Sequence, residues 1–144
     1  MLKNISPILS PELLKVLMEM GHGDEIVIAD GNFPSASIAD STVSKNLIRC
    51  DGHAVPEILD AILALMPLDT HVENPVSLMD NDDSENSPSI WNEYRKIVKK
   101  HEGEKGFEII ERYAFYTRAK KAYAIVATGE TAIYANIILK KGVV

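Results

Sequence analysis

The run Ile26-Val27-Ile28-Ala29 is apolar at every position. Turn formers bound it on both sides, Gly21-His22-Gly23-Asp24 before it and Asp30-Gly31-Asn32-Phe33-Pro34 after it. It is too short for a helix and predicts a strand over Glu25–Ala29. Without polar alternation, such a strand reads as central rather than as a sheet edge. His22 and Asp30 then stand at its two ends. The glycines around His22 leave its backbone approachable, and an imidazole titrates near neutrality.

Helices and strands alternate along the rest of the chain. Ser10-Pro11-Glu12 opens a helix, with Ser10 as cap, Pro11 in the first turn and Glu12 at the positive end of the dipole. Leu13, Leu14, Leu17 and Met18 form its apolar stripe, and Gly21 stops it. Residues 35–46, rich in Ser, Ala and Thr, predict a loop. A strand over Asn46–Cys50 follows, then a helix primed by Pro56 and Glu57. That helix buries Ile58, Leu59, Ile62, Leu63 and Met66 and ends at Pro67. Pro75–Met79 reads as a short strand and Asp80–Ser87 as an exposed acidic loop. A helix from Pro88 to Lys100 turns Ile90, Trp91, Tyr94, Ile97 and Val98 inward. Strands over Phe107–Arg112, Ala122–Ala127 and Asn136–Lys140 complete the pattern, with a short helix over Phe115–Lys121. The alternation predicts one α/β domain over residues 1–144, a central sheet covered by helices.

Net charge and cysteine content narrow the function. A net charge of −6 with scattered basic residues argues against nucleic acid. Lys99-Lys100 and Lys120-Lys121 read as solvated helix faces. The single cysteine, Cys50, lies in a strand, reads as a small buried hydrophobe and fits a reducing compartment. No apolar run reaches the ~20 residues of a membrane span, and the first residues lack a signal-peptide core. The expected location is cytoplasmic, with no membrane partner.

Several chemistries lack their patterns. The spacing for an EF-hand is absent from the acidic loop, and no H-E-x-x-H or cysteine pair supports zinc. His53, His71 and His101 have no spaced partners in sequence, so no metal is expected. Gly21-His22-Gly23 precedes a strand instead of following one, unlike a phosphate loop, and no G-x-S-x-G elbow occurs. Two readings stay open for His22: a locally bonded histidine at a helix end, or a group that moves protons. Arg112-Tyr113-Ala114-Phe115-Tyr116 is either an ordinary strand end or part of a site. Tyr134-Ala135-Asn136 is either a turn entering a strand or a ligand contact. Together, Asp30, Arg112, Tyr134 and Asn136 form a set suited to a polyol.

The opening Met1–Pro7, Ser10–Leu17 and Met20-Gly21-His22-Gly23-Asp24 resembles the fucose mutarotase and ribose pyranase family. So does the closing series Arg112, Phe115-Tyr116, Arg118-Ala119, Ala124–Val126, Thr128–Glu130, Tyr134, Asn136 and Lys140–Val143. The Arg112–Tyr116 cluster points to the fucose branch. The resemblance implies an isomerase that interconverts the anomers of a reducing monosaccharide by ring opening and reclosure, without a cofactor. It places the proton donor at His22 and sugar contacts at Asp30, Arg112, Tyr134, Ala135 and Asn136. It also implies ring-like homo-oligomers, commonly decamers, with sites near subunit contacts. A ribose-type pyranase and a non-catalytic sugar-binding module are the alternatives. Ala135 stands where familiar members carry glycine.

Overall fold

In the computed structural model, which describes residues 1–144, the Ser10 hydroxyl accepts from the Leu13 N–H at 3.1 Å and caps α1 (Pro11–Glu19). The apolar run becomes β1 (Glu25–Ala29), and its last four residues are buried. The other strands are β2 (Leu47–Cys50), β3 (Val76–Met79), β4 (Phe107–Ile110), β5 (Ala124–Thr128) and β6 (Ile137–Lys140). They form one sheet in the order β2-β5-β1-β6-β3-β4. β1 runs parallel to β5, with Ile26 opposite Ala124, and antiparallel to β6, with Glu25 opposite Lys140. β6 is antiparallel to both of its neighbours, so all the other strands point one way.

The central placement of β1 follows from its composition. Ile26 and Ile28 enter a core on one sheet face, built with α1, α3 (Val55–Leu63) and α4 (Ile90–Glu102). Val27 and Ala29 enter a smaller core on the other face, with α2 (Ser35–Ala39) and α5 (Arg112–Ala119). Alternate residues of a strand point to opposite faces, so a strand apolar throughout needs helices on both. The expected α/β architecture is therefore what forms, as a three-layer arrangement. Cys50 is buried as predicted, and burial pushes its thiol up.

Three local expectations are corrected. Met18 is 85% exposed, and Val16 takes its place beside Leu13 and Leu17. Residues 35–39, read as loop, make the one-turn α2, whose Ile38 and Ala39 pack into the smaller core. Arg112 opens α5 instead of ending β4, because the Glu111 carboxylate accepts from the N–H groups of Tyr113 and Ala114. A glutamate is an uncommon N-cap, so the helix start carried no familiar signal. Helical spacing then puts Arg112 and Tyr116 on one face and sends Phe115 and Ala119 into the core.

Candidate functional site

A cavity of about 200 Å³ opens at the carboxyl ends of the parallel strands, where β6 enters between β1 and β3. Open α/β sheets hold ligands at such breaks in strand direction. Its walls include Asp30, Phe33, Arg112, Tyr116, Tyr134 and Asn136. Four of the sequence-selected residues, Asp30, Arg112, Tyr134 and Asn136, thus meet in one place although they are far apart in sequence.

Asp30 is the hub. Its Oδ1 accepts from the Asn32 N–H at 3.0 Å. Its Oδ2 accepts from Asn136 Nδ2 at 3.0 Å and from the Ala135 N–H at 3.3 Å. The Asp30 N–H in turn donates to Asn136 Oδ1 at 2.8 Å, so the two side chains clamp each other across β1 and β6. Burial raises the Asp30 carboxyl above its ordinary value, opposed by the N–H groups of Asn32 and Ala135. Ala135 supplies its backbone and is fully buried. The positive φ here, 55°, belongs to Tyr134, so a methyl group is tolerated at Ala135.

Tyr134 is held in that left-handed conformation from behind. Trp91 Nε1 donates to the Tyr134 carbonyl at 3.0 Å, and the Tyr94 hydroxyl donates to the Ala135 carbonyl at 2.6 Å. Strained residues of this kind persist only where surrounding structure over-determines them. The aromatic wall is continuous: Phe33 meets Tyr116 edge-on at 5.5 Å and Phe115 at 5.9 Å. Arg112 lies over the Tyr113 ring, 5.0 Å from its centre, donates from Nη2 to the Tyr113 hydroxyl at 3.4 Å, and lines the cavity.

His22 is not in this cavity. The strand between it and Asp30 is roughly 17 Å long, and the structure sets them at opposite edges of the sheet. Gly23, at φ 86°, lets the His22 turn close, and its N–H donates to the Lys141 carbonyl at 2.9 Å. Within one chain, His22 meets Asp69, whose Oδ1 lies 3.0 Å from its Nε2. Asp69 is 4% exposed and His22 is 44% exposed, so an anchored carboxylate holds a ring that faces solvent. The Asp69 carboxyl is held down at about 2, first by the His71 N–H and then by the His22 and His71 rings. Gly142 makes this edge possible, because its N–H donates to the Pro67 carbonyl and a Cβ there would lie 2.4 Å from the Leu68 carbonyl.

Sequence reasoning missed Asp69, Trp91 and Tyr94 as contributors. Asp69-Thr70-His71, following Pro67-Leu68, was the available signal: an acid and a histidine in a short segment between a helix and a strand. The expectation that the remaining histidines lack partners is also corrected. His71 shares Asp69 with His22, His53 pairs with Glu57 and His101 with Asp60.

A preassembled polar pocket with an aromatic wall, set at the carboxyl edge of an α/β sheet, defines a protein that binds a small hydroxyl-rich molecule. Residues 3–144 match the model of the RbsD / FucU transport protein family, and the chain belongs to that family. It is 49% identical to fucose mutarotase from Homo sapiens, over 99% of this chain and 94% of the human protein. It is similar to the crystal structure of the fucose mutarotase in complex with L-fucose from Streptococcus pneumoniae, with 55% identity, a TM-score of 0.91 and 99% of each chain covered. The structure of Bacillus subtilis RbsD complexed with D-ribose is more distant, at 26% identity and a TM-score of 0.72, covering 100% of this chain and 99% of that one.

Proposed function

We propose that this chain is an L-fucose mutarotase, an isomerase that equilibrates the α and β anomers of the sugar. Ring opening requires the ring oxygen to gain a proton while the anomeric hydroxyl loses one. Rotation about the C1–C2 bond then presents the other face of the aldehyde, and the reverse transfers close the ring. No electron or group leaves the sugar. Asp30 accepts from a sugar hydroxyl, while Arg112 and the Tyr134-Ala135-Asn136 segment fix the ring against the aromatic wall. His22 carries the proton, and Asp69 positions its imidazole. Such acid–base help is worth about 10²–10⁴-fold.

The carrying observation is the pocket around Asp30, already hydrogen-bonded and of monosaccharide size. Because His22 lies at the other edge of the sheet, the reading requires two copies: His22 of one subunit reaches the Asp30 pocket of the next. Both edges carry exposed apolar side chains, Met18, Leu65 and Val143 near His22 and Tyr113 and Ile133 near the pocket. A head-to-tail contact between two different surfaces generates a ring when its rotation closes. We accordingly propose a ring-shaped homo-oligomer, with the decamer as its assembled form. No helix is long and apolar enough to cross a membrane, and the lone reduced thiol suits a cytoplasmic enzyme.

Saturation-transfer NMR on L-fucose tests the reading. Wild-type protein accelerates anomer exchange and His22→Ala does not. Full acceleration by His22→Ala removes His22 from the reaction. Parallel measurement with D-ribose separates a pyranase, and sugar binding by calorimetry with exchange left at the aqueous rate identifies a binding module.

A further inference from the structure

His22, Asp69 and His71 bring two imidazole nitrogens and a carboxylate oxygen within 4.8 Å of one another. Asp69 follows His22 by 47 positions in the chain, so the sequence hides the grouping. Nε2 of His22 and Nδ1 of His71 lie 3.0 and 3.3 Å from the same oxygen, Oδ1 of Asp69. Ligand atoms around a tetrahedral ion with bonds of ~2.1 Å are about 3.4 Å apart, so two edges of a coordination shell already exist. The rings lie 5.0 Å apart, centre to centre, and tilt at 55°. His22 and His71 are exposed, and small rotations of their side chains close the third edge. Asp69 is buried and anchored by the His71 N–H at 2.9 Å, and all its side-chain hydrogen bonds fall on Oδ1, which leaves Oδ2 free.

We propose that His22, Asp69 and His71 form a binding site for a divalent transition-metal ion of the Zn²⁺ type. Two imidazoles and one carboxylate suit such borderline ions, whereas Mg²⁺ takes oxygen ligands. The open side of the cluster leaves room for water as a fourth ligand. An ion on Nε2 of His22, the nitrogen that faces Asp69, keeps the ring from becoming imidazolium, so Nδ1 no longer picks up and delivers the proton. Resting on the role given to His22 above, the site is inhibitory: metal switches mutarotation off, and a chelator restores it.

Calorimetric titration of the full-length protein with ZnCl₂ tests the site without reference to activity. His71→Ala and His71→Asn should each weaken Zn²⁺ binding at least about tenfold, and Mg²⁺ should not compete. Bound Zn²⁺ should shift the imidazole signals of His22 and His71 together while those of His53 and His101 stay in place. In EDTA, His71→Ala should equilibrate L-fucose at the wild-type rate and, unlike wild type, resist added Zn²⁺. Equal Zn²⁺ affinity in wild type and both His71 variants overturns the site. His71-dependent binding that leaves wild-type mutarotation untouched supports the site and overturns the proton-carrying role of His22.

Discussion

Nε2 of His22 lies 3.0 Å from Oδ1 of Asp69, and this pair joins the turn before β1 to the segment before β3. Asp69 is buried and anionic, while His22 faces solvent. A carboxylate in this position fixes the tautomer and orientation of an imidazole. The proposed acid–base group and its positioning partner therefore sit at the amino end of β1, and the proposed sugar pocket sits at its carboxyl end.

Asp69→Asn keeps the shape of the side chain and removes its charge. By analogy with carboxylates that orient metal-bound histidines, kcat for anomer exchange should fall about 10–100-fold. KM for L-fucose should change little, because Asp69 does not line the Asp30 pocket. Exchange rates measured over a range of fucose concentrations separate the two parameters.

The same pair shapes acid stability. Asp69 titrates at about 2 in the fold, below its ordinary 3.8. Its contribution is present above 3.8 and is lost as pH falls through about 2. Asp30, raised by burial, has the opposite sign: it favours the fold at low pH, and its contribution fades as pH rises through its elevated value. Urea midpoints followed from pH 4.5 to 2 should therefore fall less steeply in Asp69→Asn than in wild type.

Asn136→Ala breaks the reciprocal clamp on Asp30, leaving the Asp30 N–H without its acceptor and Oδ2 without its amide donor. Burying an unsatisfied group costs about 1–3 kcal/mol. Urea unfolding should show that loss, and calorimetry should show weaker fucose binding.

Much of this architecture is readable in the sequence. Unbroken apolar β1 specifies a covered central strand, and proline with glutamate marks the openings of α1 and α3. The pocket members Asp30, Arg112, Tyr134 and Asn136 were legible by residue type. The start of α5 was not, because Glu111 caps it in place of a preferred short side chain. The separation of His22 from Asp30 was legible, because a strand of this length holds its two ends roughly 17 Å apart, but which neighbours each end meets was not. Asp69 escaped because its meeting with His22 depends on the close packing of Gly142 against Leu68, a tertiary contact without local periodicity.

Trp91→Phe removes one hydrogen bond to the Tyr134 carbonyl and keeps the aromatic volume nearly intact. The cost in stability should be about 1 kcal/mol. With its left-handed backbone less constrained, Tyr134 should hold sugar less well, and KM should rise more than kcat falls.

Subunit mixing tests the shared site most directly. On this account His22→Ala loses the proton carrier and Asn136→Ala weakens the sugar pocket, so each homo-oligomer should be far less active than wild type. After dissociation and co-assembly in equal amounts, about a quarter of the head-to-tail contacts pair an intact His22 edge with an intact Asp30 pocket. Saturation-transfer NMR on L-fucose should then recover activity toward that fraction of wild type. Verified mixed rings that stay as inactive as either parent would contradict a site built from two subunits.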